Sequence, residues 1–487
     1  MLTFQSVNLE KLSTPGAWFN SLPILALVFV LSFLCLGDPS SQIATAPLDP
    51  ILATPAQDEA LYSHGILRMA AGEDWLTPRF LGRPLLVKPP LLQWLSAASI
   101  KTFGSRLWAL RLPSILAAAA ILTIVFHATG PIGWLLLVST NLWRTRAGLV
   151  LMDDLLTLFY LIAILQFARD PKLTIRWAGY IAGAAVGLAI MTKWFAGVLP
   201  LALFLWARPP LRRWVEASVA ILVIALPWHL YQLTVNHDWF LAEYLGVELL
   251  GYAFRAPVQA STDSQLGYYL PRLAWLLPLA MPLAARRWNT TWCFWCGVLL
   301  ASIFAYSYRN TTYLAPLAPA LLLCHRGWIH WGFAPLALAA FLSYPAPQPQ
   351  TPISNEFQGR EVLHLDPDDQ LRTTLYPGAT VRYIFLIEHL PPNGPLDFEM
   401  LGIASSVFNF LKSPEAKVDA ILAANLDQLR LLIESSPERD FILPTRVWQQ
   451  LNLKCPHEVR LGPKVWLRSR SPQPGPRPNL FPVIPKA

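Results

Sequence analysis

Charge is scarce in this sequence: Lys, Arg, Asp and Glu make up 14% of its 487 residues, against about 25% in soluble domains. With 54% hydrophobic residues and a mean hydropathy of +0.40, so little charge excludes an ordinary soluble enzyme and points to an integral membrane protein. Cysteine is scarce too. Of the five, Cys35, Cys293, Cys296 and Cys324 lie in apolar runs and only Cys455 in a polar one, which leaves no basis for a disulfide framework. The CxxC spacing of Cys293 and Cys296, set among Trp and Leu without partner ligands, reads as packing rather than a metal or redox site. No glycine-rich phosphate loop, His-x-x-x-His pair or Ser-His-Asp arrangement stands out, which points away from cytosolic ATP-driven work. The net charge of +8 is not a nucleic-acid footprint, because the chain after Ser343 holds fifteen basic and fifteen acidic residues and the excess lies in the apolar part.

What the chain has in quantity is long apolar runs. About eleven candidate spans can be read, at 21–37, 110–127, 132–143, 150–167, 178–191, 196–206, 215–233, 266–284, 292–306, 313–324 and 329–343. The run 91–103 is short and follows Pro89-Pro90, so it reads as an interfacial helix. When the spans alternate in direction, Arg169 to Lys172 with Arg176, Arg208 with Arg212 and Arg213, Arg286 with Arg287, and His325 with Arg326 all fall on one side. By the positive-inside rule that side is cytoplasmic. The fold expected is a mainly α, polytopic helix bundle over residues 1–344, with 38–109 as an outer loop and interfacial helices. A Pro-rich linker follows at 345–352, then a small extracytoplasmic α/β domain at 353–470 and a Pro-rich tail at 471–487. In that domain Tyr383, Phe441 and Val465 begin strand-like runs and 415–434 reads as an amphipathic helix.

Charge concentrates in one outer stretch, 54–92. Thr54 and Gln57 have capping-box spacing around Pro55, so a helix is expected to carry Asp58 and Glu59 in its first turn, with Asp58, Tyr62, Ile66 and Met69 on one stripe. Arg79, Arg83 and Lys88 follow. Two acids ahead of three cations suit a reaction in which a carboxylate takes a proton from a hydroxyl while a phosphate departs under cationic stabilisation. The same residues also suit a solvated interfacial loop whose Arg and Lys reach toward headgroups. Asp153 and Asp154 stand at the outer mouth of a span, where they either join the chemistry or cap a helix dipole. Met191-Thr192-Lys193-Trp194 and Arg309-Asn310 return further cations to that side, and His229, His237, Glu243 and Glu248 match no compact zinc pattern.

In series, Asp58-Glu59-Ala60-x-Tyr62, Trp75-Leu76-Thr77-Pro78-Arg79-Phe80, Lys88-Pro89-Pro90-Leu91 and Trp108-Ala109-Leu110-Arg111-Leu112-Pro113-Ser114 resemble the first outer loop of membrane glycosyltransferases of the protein O-mannosyltransferase superfamily, especially its bacterial aminoarabinose lipid A transferase branch. Asp153 and Lys193 occupy positions of further family motifs, with Asp154 and Trp194 as departures from the pattern. The resemblance implies a GT-C-type inverting enzyme that uses a polyprenyl-phosphate sugar donor and the hydroxyl of a lipid, glycan or protein acceptor, among membrane lipids. Asp58 would then be general base, with Glu59 and Asp153 supporting it. Tyr62, Arg79, Arg83, Lys88, Lys193 and Arg309 would contact substrate, chiefly the lipid phosphate. No cofactor is required; a divalent metal beside Asp58 and Asp153 stays open. A transporter of lipid-linked sugars would place charge near the midplane of its spans, and here the charges gather at one mouth. A non-catalytic binder of such lipids is the other alternative.

Overall fold

The computed structural model describes residues 24–32, 57–72, 74–80, 83–104, 106–251, 264–285, 288–306, 309–343, 361–365, 380–386, 421–424, 426–437, 439–455, 457–461 and 464–468. The protein is mainly helical. After α1 (24–32) come α2 (Gln57–Ala70), a two-stranded ribbon of β1 (Arg79–Phe80) and β2 (Arg83–Pro84), α3 (Leu91–Phe103), α4 (Leu107–Ser139), α5 (Asn141–Arg146), α6 (Met152–Arg169), α7 (Ala178–Gly197), α8 (Leu201–Ala207) and α9 (Leu211–Val235). A π-helix covers Phe240–Gly251, and the helices Thr290–Ala305, Leu317–Leu323 and Ala334–Ser343 complete the bundle.

Among the described residues, three stretches are long and apolar enough to cross a bilayer: Trp108–Ser139, Ala178–Gly197 and Leu211–Val235. A helix does follow Pro89-Pro90: α3, ending where Gly104 takes φ 84°. The runs expected as separate spans at 110–127 and 132–143 both fall on α4, the second passing its end at Ser139 into α5, and α4 breaks between them at Gly130 (φ 76°) just before Pro131. The Trp328 ring packs on that break, and a Cβ at Gly130 would lie 2.9 Å from it. The run at 266–284 is not one helix. Pro271, Pro278 and Pro282 divide it into the α and 3-10 pieces Gln265–Leu273, Ala274–Leu276, Leu277–Ala280 and Met281–Ala285.

Between helices in lipid there is little hydrophobic gain from contact, so close approach of small residues carries the packing. Gly179, Gly183 and Gly187 line α7 at four-residue spacing against α9, where a Cβ on Gly183 would sit 2.4 Å from the Ala217 Cα. A larger core of Leu, Ile and aromatic side chains joins α4, α6, α8 and the later helices. Within it Tyr160 meets Trp295 edge-on at 4.9 Å and Phe167 meets Phe204 at 4.8 Å.

The basic connections 169–176 and 208–213 meet at one end of this bundle. Lys172 Nζ donates to Ala207 O at 2.7 Å, and Arg213 donates to Arg176 O and Thr174 O while pairing with Glu216 at 2.7 Å. At the opposite ends of the same helices stand Asp153, at the start of α6, Lys193, near the end of α7, and Gln232, near the end of α9.

A six-stranded sheet forms the C-terminal region, in the order β5 (Ile421–Ala424), β4 (Thr380–Leu386), β3 (Glu361–Leu365), β6 (Asp440–Pro444), β8 (Lys464–Leu467) and β7 (Glu458–Leu461). The first four strands run parallel, and β8 is antiparallel to both of its neighbours, β6 and β7. Helices Leu426–Ser435 and Thr445–Leu451 cover it through Leu429, Val447 and Trp448. The helix expected over 415–434 is corrected here: Ile421–Ala424 is an edge strand paired with β4, and the helix starts only at Leu426. A four-residue apolar run beside a parallel strand gains a hydrogen-bond ladder that a helix of that register would forgo. The linker at 345–352 and the tail at 471–487 lie outside the described residues.

Candidate active site

The sequence places Glu59 in the first turn of α2, and the fold buries it completely. Its oxygens accept from Arg111 Nε at 2.7 Å and Arg111 Nη2 at 2.9 Å, and Oε1 also accepts from Val150 N at 3.0 Å. One carboxylate thus ties the start of α2 to α4 and to the strand-like segment that leads into Asp153. Asp58 is the preceding residue of α2, and its side chain, like that of Arg83, lies outside the described ones. Tyr62 follows on the buried stripe with Ile66 and Met69 and packs into the core with Leu85 and Leu92.

A partly open cleft lies beside these elements. Its charged lining is Lys88, Asp153, Lys193 and Glu248, paired as Lys88–Glu248 and, at 2.8 Å, Lys193–Asp153. Arg79 and Arg309, both expected to contact substrate, do not line it: Arg79 belongs to the β1–β2 ribbon, and the Arg309 guanidinium lies 5.6 Å from the Tyr268 ring centre. Leu156, Leu199, Leu299 and Ile303 give the cleft an apolar wall, and Tyr160, Trp194, Tyr306 and Tyr313 an aromatic one.

Lys193 and Glu248 are presented by irregular helices, Asp153 by a helix start. Helix α7 breaks at Lys193 (φ −146°, ψ 52°) and Trp194 (φ 17°, ψ −99°), so that Lys193 turns toward Asp153 with its ammonium 4.9 Å from the Tyr313 ring centre. The Tyr160 hydroxyl donates to Ala196 O just beyond the break. Asp153 opens α6, where the helix dipole favours a carboxylate. Its neighbour Asp154 points elsewhere and accepts from Gly148 N at 2.7 Å.

Glu248 comes from the π-helix, which also sends Glu243 to accept from Leu86 N at 2.9 Å. Tyr306 donates to the Glu248 carbonyl at 2.9 Å. The π-helix is backed by aromatic packing: Tyr244 lies 4.2 Å from Trp194 and 4.6 Å from Phe240, centre to centre. His229 Nδ1 donates to Ala225 O at 2.7 Å, which leaves Nε2 to accept the Tyr244 hydroxyl. Burial first, and the Glu248 charge second, push the Tyr244 phenol well above its ordinary range, so it keeps that proton. The loop after α2 is held in turn by Trp228 and Gln232, which donate to Leu76 O at 2.8 and 2.6 Å, and by Trp94, which donates to Trp75 O at 2.6 Å.

Chemically, the cleft offers two ammonium groups for a phosphate, a carboxylate at a helix start, and apolar and aromatic walls for a lipid chain and a sugar ring. A metal fits the described carboxylates poorly, because Asp153 already has Lys193 as its counter-ion and, among the described residues, no three His, Cys, Asp or Glu side chains gather. The sequence reading placed Lys88, Asp153 and Lys193 among the candidates. Arg111 entered there only within a motif and Glu248 only as a rejected metal ligand, because their partners lie 52 and 160 positions away.

Residues 87–231 match the family model described as dolichyl-phosphate-mannose-protein mannosyltransferase. Undecaprenyl phosphate-alpha-4-amino-4-deoxy-L-arabinose arabinosyl transferase 2 of Pseudomonas fluorescens (strain Pf0-1) is 26% identical over 345 residues, covering 63% of this chain and 59% of that protein. The corresponding transferase of Pseudomonas aeruginosa (strain LESB58) is 27% identical over 338 residues, covering 58% and 60%. The chain resembles the GT-C aminoarabinose transferases. It spans about three fifths of the length of these curated relatives. The fold of ArnT from Cupriavidus metallidurans bound to undecaprenyl phosphate superposes with a TM-score of 0.62 at 16% identity, over 95% of this chain and 100% of that one. The resemblance to the transferase branch thus extends to the fold as a whole.

Proposed function

We propose that the protein is a membrane glycosyltransferase that moves a sugar from a polyprenyl-phosphate donor to an acceptor hydroxyl on a lipid, glycan or protein at the outer membrane face. The observation that carries this reading is the cleft in which Lys88 and Lys193 stand beside Asp153 under apolar and aromatic walls. The amino pentose named for the relatives is the first sugar to test.

In the proposed reaction the acceptor oxygen attacks the anomeric carbon as its proton passes to a carboxylate. The bond from that carbon to the phosphate oxygen breaks, and polyprenyl phosphate leaves with the electron pair. A single displacement inverts the anomeric centre. Asp58 is the proposed base, with Asp153 supporting it and Glu59 fixing the turn that carries it through Arg111 and Val150. Lys88 and Lys193 stabilise the leaving phosphate, which is the role expected of preorganised cations in a site with low dielectric. Arg79 and Arg309 are assigned to the outer approach rather than to the cleft, and Arg83 to the lipid phosphate. The bundle of about eleven spans occupies residues 1–344, with the 345–352 linker and the α/β domain on the outer side; the pairing of the basic connections at the opposite end supports this orientation.

The test is Asp58→Asn in a deletion strain, with envelope glycolipids and glycoproteins read by mass spectrometry. The variant is expected to insert and to bind polyprenyl phosphate while transfer falls by about 10²–10⁴. Near-normal transfer by Asp58→Asn would move the base to Asp153. A deletion strain whose glycolipids and glycoproteins match the parent overturns the reading.

A further inference from the structure

Three aromatic rings form a stack that ends in the cleft. Tyr244 lies 4.2 Å from Trp194 and 4.6 Å from Phe240 between ring centres, its plane turned 32° from the indole and 20° from the phenyl ring. Two rings that close to a third, and that near to parallel with it, occupy its opposite faces. Tyr244 and Phe240 are buried, whereas Trp194 is half-buried and lines the cleft. Because Tyr244 covers one face of the indole, what Trp194 offers the cleft is its other face and its edge.

The stack is fixed from behind. The Tyr244 hydroxyl donates to Nε2 of His229, whose Nδ1 donates to Ala225 O at 2.7 Å, and Trp228 meets Tyr244 edge-on at 6.0 Å. In front, Trp194 directly follows Lys193, whose ammonium stands 2.8 Å from Asp153. An aromatic face is therefore held one residue away from a cation assigned to the donor phosphate.

The walls of the cleft belong to different parts of the interior. Leu156, Leu199, Leu299 and Ile303 are continuous with the large core of the bundle. Trp194 packs instead with Leu86, Ile190, Trp228, Phe240 and Tyr244, and Lys88 and Glu248 follow shortly after Leu86 and Tyr244 on the same two segments. A prenyl chain has only hydrocarbon to bury, which the aliphatic wall accepts. A sugar ring has hydroxyls that need hydrogen-bond partners and C–H bonds, polarised by the neighbouring oxygens, that suit the negative face of an aromatic quadrupole. Trp194 supplies such a face among charged groups that can serve the hydroxyls.

We propose that Trp194 is a specificity-determining residue whose open indole face carries the sugar ring of the donor, while the prenyl chain leaves the phosphate along the aliphatic wall. The proposal rests on the polyprenyl-phosphate donor put forward above and deepens it.

The experiment is equilibrium binding to the full-length protein in lipid nanodiscs, with unglycosylated polyprenyl phosphate and with the same lipid bearing a 4-amino-4-deoxy pentose. Trp194→Leu keeps an apolar side chain for a prenyl chain to touch but removes the aromatic face. Its affinity for the sugar-bearing lipid is expected to fall about two- to tenfold, the scale of one aromatic contact, while the unglycosylated lipid binds as it does to the wild type. Trp194→Phe, which restores a ring against Tyr244, should recover most of the loss. A second measurement needs no variant. In wild-type protein protonated only at its tryptophans, saturating the indole resonances should transfer magnetisation to the ring protons of the sugar, since Trp194 is the one tryptophan lining the cleft among the described residues. Equal loss of both lipids in correctly inserted Trp194→Leu, loss of neither, transfer to the prenyl protons alone, or wild-type binding of the unglycosylated lipid alone overturns the inference and leaves the proposed donor class standing. Failure of the wild-type protein to bind either lipid overturns both.

Discussion

Glu59 and Arg111 face each other as a bidentate pair across 52 positions of sequence, at 2.7 and 2.9 Å, with the Glu59 carboxylate fully buried. Removing one partner strands the other charge in the interior. Arg111→Leu is expected to destabilise the protein by about 3–5 kcal/mol, and Arg111→Lys to recover little, since an ammonium cannot supply the planar two-point fit. The measurement is the thermal midpoint of detergent-solubilised protein. A midpoint unchanged in Arg111→Leu would show that the pair holds nothing in place.

The α7–α9 contact is as close as backbones can come. Gly183→Ala puts a methyl group where the Ala217 Cα is 2.4 Å away, so the helices must separate, at a cost of about 1–3 kcal/mol. Because Lys193 is on α7 and Gln232 on α9, the same separation loosens the cleft. Melting and polyprenyl-phosphate binding should both decline, whereas Gly297→Ala, which meets nothing within 4 Å, should leave both intact.

Orientation can be read with single cysteines in a cysteine-free background. Asp74 is exposed beside the outer loop, and Arg212 is exposed at the basic end of α9. Cysteine at 74 should react with an impermeant reagent on intact cells, and cysteine at 212 should react only after lysis. The reverse pattern would invert the proposed topology.

At the basic end, burial alone would raise the Asp170 carboxyl, but hydrogen bonds outweigh it and hold it below the usual carboxylate range: from Thr174 Oγ1 at 2.6 Å, from the Thr174 amide, and from Lys172 N at 3.0 Å. The folded value is therefore lower than the unfolded one. Its stabilisation is present above the unfolded value and is lost as pH falls through the folded value. Thermal midpoints measured from about pH 6 down to about pH 3 should decline in the wild type. In Asp170→Asn they should start lower and decline less; parallel curves would remove Asp170 from the acid response.

Periodicity and charge placement made much of this legible. The proline pair before Leu91 marked α3, the gap left between 127 and 132 fell on the Gly130-Pro131 break, and the basic residues of 169–176 and 208–213 came together at one end of the bundle. Lys88, Asp153 and Lys193 stood out because each is a charge at the edge of an apolar run. Glu248 and Arg111 did not, because their meaning depends on partners that only the folded chain brings near. The π-register that turns Glu248 toward Lys88 has no simple periodic signature, and Ile421–Ala424 looked helical because its parallel neighbour β4 is remote in sequence. Arg79 and Arg309 matched the charge pattern of the site yet stand outside the cleft, since pattern alone carries no depth.

The break in α4 sets an order of events during synthesis. Its two fastenings, Trp328 against Gly130 and the Ile329 amide on Thr129 O at 2.8 Å, both arrive about 200 residues after the bend itself, which is about 10–40 s later at ordinary rates of translation. For that interval neither of these two contacts holds the bend. The early helices must therefore enter the bilayer and find one another before the angle at that bend is fixed, and a stall or truncation upstream of residue 328 would release a bundle whose first bend has never been locked.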